Sequence, residues 1–197
     1  YHSFFKNQSE IRIATARAGN VIGGGDWGND RIIPDCIRAW DKHQNVQIRN
    51  PDSTRPWQHV LEPLYGYLQL GSYLWEDEKF NGKSYNFGPE HGENYTVIEL
   101  IQKISLRYFD STNPKYEIKN ENKYHEASLL SLDCTKARAE LNWRQTLSFD
   151  NTCNFTTDWY KSYHLQNCYE LAVSQINEFI KIAKSKNLKS LKLISPN

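Results

Sequence analysis

The chain contains no methionine, not even at position 1. It opens on Tyr1-His2-Ser3-Phe4-Phe5-Lys6, an aromatic and amphipathic stretch that reads as the end of a helix already under way, so we expect a chain that begins partway through a longer protein. No run of about eighteen apolar residues is present and no basic-then-apolar leader opens the sequence, which excludes a predicted membrane-spanning helix. Cysteine is sparse: Cys36, Cys134, Cys153 and Cys168 show neither a CxxC nor a Cys/His ligand spacing. This excludes a disulfide framework, implies no metal site, and fits reduced thiols in a cytoplasmic protein. Excess charge of one sign is also missing. A net charge of +1 argues against a dedicated nucleic-acid binder, and the lysines after Ile180 (Lys181, Lys184, Lys186, Lys189, Lys192) read as a solvated end. There are no internal repeats and no low-complexity linker. The strand-to-helix glycine turn GxGxxG is absent as well; GGGDWG at 23–28 has the wrong spacing and no acidic residue at the ribose position.

What is present suffices for a sizeable core: 197 residues, 39% hydrophobic and 13% aromatic. The segment RNPDSTRPWQHVLEPL (49–64) combines two arginines, two early prolines and a Trp-Gln-His run just before an apolar helical pattern. Proline fixes the backbone and arginine offers a planar fork of donors, a composition suited to gripping an anion such as a diphosphate. Taken alone, such arginines more often pair with neighbouring carboxylates.

Apolar periodicity predicts the elements. Ile11, Ile13 and Ala14 to Ala16 form a short strand ending at Arg17 and running into Gly19, Gly23, Gly24, Gly25 and Gly28. Such a glycine-rich loop after a buried strand is how an α/β sheet delivers its C-terminal edge to a ligand. Ile32, Ile33, Cys36, Ile37 and Trp40 follow helical spacing, with Asp30 as the expected N-cap and Pro34 in the first turn. Val46 and Ile48 alternate as a strand. Leu61, Leu64, Tyr65, Leu68, Leu70 and Leu74 mark a helix to about Trp75, and Tyr65 and Trp75 read as core. A brief strand follows at 84–87. At 96–109 lies the clearest amphipathic helix, with Thr96 and Glu99 spaced as a capping box. Tyr116 and Ile118 suggest a strand, Leu130 and Leu132 alternate towards Asp133, and Asp133 is expected to cap a helix over 136–141. Two more helices are expected at 149–163 and 169–184. Alternation of element types points to an α/β or mixed fold.

Four ordered blocks, ARAGNVIGGGDWGNDRIIPD (16–35), VQIRNPDSTRPWQHVLEPL (46–64), YNFGP (85–89) and HEASLLSLDCTKA (125–137), resemble the CDP-glucose 4,6-dehydratase branch of the extended short-chain dehydrogenase/reductase family. The resemblance covers roughly residues 10 to 165. It implies the C-terminal part of such an enzyme: the last strands of a Rossmann-type parallel sheet plus a smaller mixed α/β substrate domain. On this reading 1–19 and 58–88 belong to the NAD-binding domain, 20–57 and 89–165 to the nucleotide-sugar domain, and 166–197 to a C-terminal helix with a lysine-rich tail. The Tyr-x-x-x-Lys pair and the acidic catalytic residues would precede this chain, so no catalytic residue is expected here. The implied reaction turns CDP-glucose into CDP-4-keto-6-deoxyglucose by internal hydride transfer through NAD and loss of water.

The resemblance places Asn20, Arg55 and Asn86 at the substrate diphosphate, Asp30 and Arg31 at the head of the helix over the nucleotide, and Arg49 near the base or ribose. His125 and Glu126 join the substrate set, and Arg17 and Ala18 lie at the cofactor. Two departures stand out: Lys123-Tyr124 where the family usually has Arg-Pro, and Asn142 in place of a usual glycine. NAD, a CDP-sugar and a homodimeric or larger assembly are the implied partners, with no nucleic acid and no membrane. An epimerase or decarboxylase of the same family, or a non-catalytic nucleotide-sugar binding module, would share many of these residues.

Overall fold

The computed structural model describes residues 11–111, 113–119 and 131–186. Among them, eight short strands form four two-stranded pairs. β1 (Thr15–Ala18) runs parallel to β6 (Ser84–Phe87), with Arg17 opposite Asn86 and Ala18 opposite Phe87. β2 (Asn20–Ile22) is parallel to β5 (Trp57–His59), and β3 (Val46–Ile48) to β8 (Tyr116–Ile118). β4 (Thr54–Arg55) and β7 (Tyr95–Thr96) make a small antiparallel ribbon. Parallel pairs need crossovers, and helices supply them.

The helices are α1 (Ile32–Trp40), α2 (Leu61–Glu76), α3 (Val97–Phe109), α4 (Thr135–Glu140), α5 (Phe149–Ser162) and α6 (Cys168–Ser185). A single 3-10 turn, Glu78–Phe80, follows α2. α3 starts on the expected capping box: Thr96 Oγ1 accepts the Glu99 N–H at 3.2 Å while Glu99 Oε2 accepts the Thr96 N–H at 2.7 Å. Both orphan donors are thereby satisfied. Its apolar stripe, Leu100, Ile101 and Ile104, is fully buried.

Two of the expected caps differ. Asp30 lies one residue ahead of the N-cap position of α1, in the left-handed region at φ 57°, and Arg31 takes that position without a side-chain cap bond. Asp133 likewise sits one residue early: its Oδ1 accepts the Thr135 N–H at 2.9 Å, and Cys134 is the N-cap of α4. In both cases the acidic residue turns the chain just ahead of the helix instead of capping it. Leu132 belongs to no strand. Leu130, the helical reading of Tyr1 to Asn7, Lys123-Tyr124 and the terminal lysines Lys189 and Lys192 lie outside the described residues.

Side chains gather in two cores. One joins Ile22, Ile33, Ile37, Trp40, Ile48 and Trp57 to the buried faces of α3 and α5. The other joins Tyr65, Leu70, Tyr85 and Phe87 to Leu141, Trp143, Leu147 and Phe179. α2 approaches β6 closely because residue 66 is glycine; a Cβ there would lie 2.4 Å from the Phe87 ring. Gln58 Nε2, next to Trp57 of the first core, donates to the Phe87 carbonyl of the second at 2.8 Å, and within the second the Glu62 carboxylate accepts the N–H groups of Thr146 and Leu147.

Not every apolar residue is inside. Trp75, expected in the core, is 86% exposed, and Leu68 on the same helix is 72% exposed. Asn142 has φ 53°, a left-handed conformation that glycine adopts freely and asparagine tolerates, which explains the exchange at that position. Cys36, Cys134 and Cys153 are buried and Cys168 is exposed, all as free thiols.

Candidate functional site

β2, the head of α1, the end of β3 and the β4–β5 segment converge on one cavity of about 580 Å³. In β3, Val46 and Ile48 are buried and Gln47 is exposed, and the end of the strand brings Gln47, Ile48, Arg49 and Asn50 in succession to the cavity wall. Asn20 opens β2, and Arg55 is carried by the β4–β7 ribbon, which holds Trp57 through a 3.0 Å bond from its indole N–H to the Tyr95 carbonyl.

Asn20, Asp30, Arg31, Arg49 and Arg55, chosen from separate stretches of sequence, all line this cavity. Its remaining polar wall includes Asp26, Asp35, Gln47 and Asn50, which the sequence reading did not single out. Arg49 pairs with no carboxylate among the described residues. Two acidic residues of the wall have partners: Asp26 accepts the Gly28 N–H at 2.9 Å and the guanidinium of Arg31, also in the wall, at 3.0 Å, and Asp35 pairs with Arg38. Arg38 also donates to the Trp27 and Gly28 carbonyls, both at 3.0 Å. The 26–31 turn is thus pinned from both ends, with Tyr160 Oη donating to the Asp26 carbonyl at 2.6 Å as a third tie.

α1 presents its N-terminus to the same cavity, with Arg31, Ile32, Ile33 and Pro34 in the wall. Since no side chain caps it, the first-turn N–H groups and the positive end of the helix dipole stand available to an anion. Guanidinium forks, an asparagine amide and a helix N-terminus around one concavity make a donor-rich receptor for phosphate oxygens. The cavity also has an apolar flank of Val21, Ile22, Ile48, Trp57 and Val97, suited to the flat face of a sugar or base.

Asn86 does not line this cavity. Its Nδ2 donates to the Asp133 carbonyl at 3.0 Å, joining β6 to the approach of α4. Arg17 and Ala18 sit on β1 beside β6, also outside the cavity, with Arg17 exposed. His125 and Glu126 lie outside the described residues. His59 is buried behind Gly23, and burial pushes its imidazole down to about 4, so it is neutral at pH 7. Its Nδ1 accepts the Leu61 N–H at 3.3 Å. Among the described residues no three His, Cys, Asp or Glu side chains form a metal-holding group, and no helix is long and apolar enough to cross a membrane.

No family model matches the sequence. A CDP-glucose 4,6-dehydratase from Salmonella typhimurium is 40% identical over 166 residues, which cover 82% of this chain and 46% of that protein. Among solved structures, a UDP-glucuronic acid 4-epimerase from Bacillus cereus, in complex with UDP-glucuronic acid and NAD, superposes with a TM-score of 0.65 at 18% identity, covering 82% of this chain and 49% of that one. A dTDP-glucose 4,6-dehydratase from Bacillus anthracis in complex with NAD superposes at 0.62 with 17% identity, over 81% and 48%. The chain therefore resembles CDP-glucose 4,6-dehydratase in sequence and has the α/β fold of one half of the extended short-chain dehydrogenase/reductase enzymes. It spans about half the length of the curated relatives it matches.

Proposed function

We propose that this chain is the C-terminal, substrate-binding half of a CDP-glucose 4,6-dehydratase, a hydro-lyase that converts CDP-glucose to CDP-4-keto-6-deoxyglucose in deoxysugar and polysaccharide biosynthesis. The observation that carries this is the convergence of Asn20, Asp30, Arg31, Arg49 and Arg55 on one donor-rich cavity. The identity of 40% to a CDP-glucose enzyme favours the cytidine sugar over uridine or thymidine sugars. In this reading Arg55 and Asn20 grip the diphosphate, the head of α1 adds backbone donors, and Arg49 with Gln47 lies toward the nucleoside.

NAD is the cofactor of this reading and supplies the hydride acceptor and donor when bound. Of the residues described, the exposed C-terminal end of β1 fits its edge: Arg17 and Ala18 stand where a parallel sheet meets its ligand. The rest of the NAD site, the Tyr-x-x-x-Lys pair and the acidic residues are assigned to a preceding half, and the chain alone is inactive. Asn86 serves this site by fixing the 133–135 turn, not by direct contact. The division into an NAD unit (1–19, 58–88) and a sugar unit (20–57, 89–165) draws support from the two cores, although the 137–147 segment of the sugar unit packs in the second core with Tyr65, Tyr85 and Phe87.

Titration calorimetry of CDP and UDP into the chain tests the proposal. CDP is expected to bind more tightly than UDP, and Arg55→Ala to abolish most of that binding. Equal, Arg55-independent affinities for the two nucleotides, or turnover of CDP-glucose by residues 1–197 alone, would contradict it. An epimerase sharing this fold would show the UDP preference instead, which is the outcome that the likeness to the UDP-glucuronic acid enzyme would favour.

A further inference from the structure

Pyrimidine nucleotides differ at one edge of the base. Cytosine offers an amino group that donates beside a ring nitrogen that accepts, whereas uracil and thymine offer a carbonyl that accepts beside an N–H that donates. A wall that tells them apart must present an acceptor where the amino group falls and a donor beside it. Gln47 and Arg49, at the end of β3, both line the cavity. Arg49 is a donor only, which suits the ring nitrogen of cytosine and opposes the N–H of uracil. Gln47 is ambiguous by itself, because turning its amide over exchanges an acceptor for a donor. Alone it would serve either base.

β8 removes the ambiguity. In the parallel β3–β8 pair Gln47 stands opposite Glu117. Side chains at paired positions of adjacent strands emerge on the same face of a sheet, their strands about 5 Å apart. Asn45 fixes the carboxylate on that face: its Nδ2 donates to Glu117 Oε1 at 3.0 Å. Glu117 is not itself part of the cavity wall, so it stands behind Gln47 as seen from a ligand. An ionised carboxylate accepts and does not donate. The Gln47 amide is therefore favoured with Nε2 toward Glu117 Oε2, which leaves Oε1 for a ligand. The reverse orientation would set two oxygens against each other.

We propose that Gln47, oriented by Glu117, selects a nucleotide whose pyrimidine carries a 4-amino group over one that carries a 4-oxo group. Oε1 accepts from the amino group, Nε2 donates to the Glu117 carboxylate, and Arg49 donates to the neighbouring ring nitrogen. Glu117 touches no ligand and acts as a positioning residue. The inference rests on the proposed function, which puts a cytidine nucleotide in this cavity, and adds the atoms that make the choice. Gln47 and Glu117 are both exposed. Water competes for each of these bonds, so the expected selectivity is about tenfold.

The test is titration calorimetry of CDP and of UDP into the full chain and two variants, with the ratio of the two affinities as the readout. The wild type is expected to favour CDP about tenfold. Gln47→Leu should bring the ratio near one by weakening CDP. Glu117→Gln should also bring it near one, but by the opposite route: its amide can face either end of the Gln47 amide, which is then free to turn, and UDP affinity rises. A merely structural role for Glu117 would weaken both nucleotides and strengthen neither. A wild-type CDP preference that survives Gln47→Leu, or a Glu117→Gln variant in which UDP affinity does not rise, overturns the proposal and leaves the cytidine reading standing. A wild type that binds UDP as tightly as CDP defeats the cytidine reading itself, and the proposal with it.

Discussion

Glu62 offers the most quantitative check on the structure. It sits in the first turn of α2 and is 0% exposed, and its Oε1 accepts the Leu147 N–H at 2.6 Å and the Thr146 N–H at 3.0 Å. Oε2 lies 3.1 Å from the same Thr146 nitrogen. Two influences compete. Burial disfavours the charged form, while the N–H groups of Leu147 and Thr146 favour it; burial dominates and raises the carboxyl from its ordinary 4.5 to about 7. Because the folded value is the higher one, the folded chain holds a proton between pH 4.5 and 7 that the unfolded chain has released. Stability from this group is fully present below pH 4.5 and is lost as pH rises through 7. At 1.36 kcal/mol per pH unit, that loss is about 3 kcal/mol.

Glu62→Gln keeps an oxygen facing the two N–H groups and removes the titration. Relative to the wild type it is expected to be within about 1 kcal/mol at pH 4.5, and more stable by up to about 3 kcal/mol at pH 8. The comparison must be made variant against wild type. His59, held down at about 4 by burial, contributes with the opposite sign: its share of stability is present above 6.5 and lost as pH falls through 4, so the wild-type profile alone is partly flattened. Urea unfolding followed by tryptophan fluorescence at the two pH values gives the numbers. A Glu62→Gln penalty that is the same at pH 4.5 and pH 8, or larger at pH 8, would refute the reasoning: it would mean that the charge is retained and the two backbone donors outweigh burial.

Three further outcomes follow from individual contacts. Arg55→Ala should weaken CDP binding by about 2 kcal/mol, roughly thirtyfold, if a charged hydrogen bond to phosphate is lost, as read by titration calorimetry. Gly24→Ala should destabilise the chain by about 2 kcal/mol or more, since the new Cβ would fall 1.9 Å from the Trp159 ring; a thermal melt unchanged from wild type would contradict the packing of α5 on that loop. Asn142→Gly, relieving a left-handed residue at φ 53°, should be neutral or stabilising by up to about 1 kcal/mol, whereas Asn142→Val should be destabilising, both measurable by urea midpoints.

The features that sequence conveyed well are those set by local chemistry. Thr96 and Glu99 specify a helix start within four residues, and the structure forms the reciprocal bonds that their spacing implies. The alternation of Val46 and Ile48 with Gln47 matches the burial seen along β3. Asp30 and Asp133 were harder, because an acidic residue ahead of a helix can either cap it or turn the chain into it, and one residue separates the two. Glu62 gave no local sign at all. A carboxylate in the first turn of a helix normally reads as a favourable dipole partner; that Thr146 and Leu147, more than eighty positions away, would enclose it depends on how the chain closes. Asn86 shows the converse: its block was recognisable, yet its amide is turned to the Asp133 carbonyl and not to the cavity.

Trp75 marks where periodicity stops being informative. Apolar spacing reports that a face avoids water, but not which polypeptide provides the cover. On α2, the residues that meet this chain's own core and those that do not are equally hydrophobic, so both faces read as interior. The structure separates them: Tyr65 and Leu70 are 6% and 5% exposed, and Leu68 and Trp75 are 72% and 86% exposed. The failed expectation for Trp75 is therefore itself a physical observation.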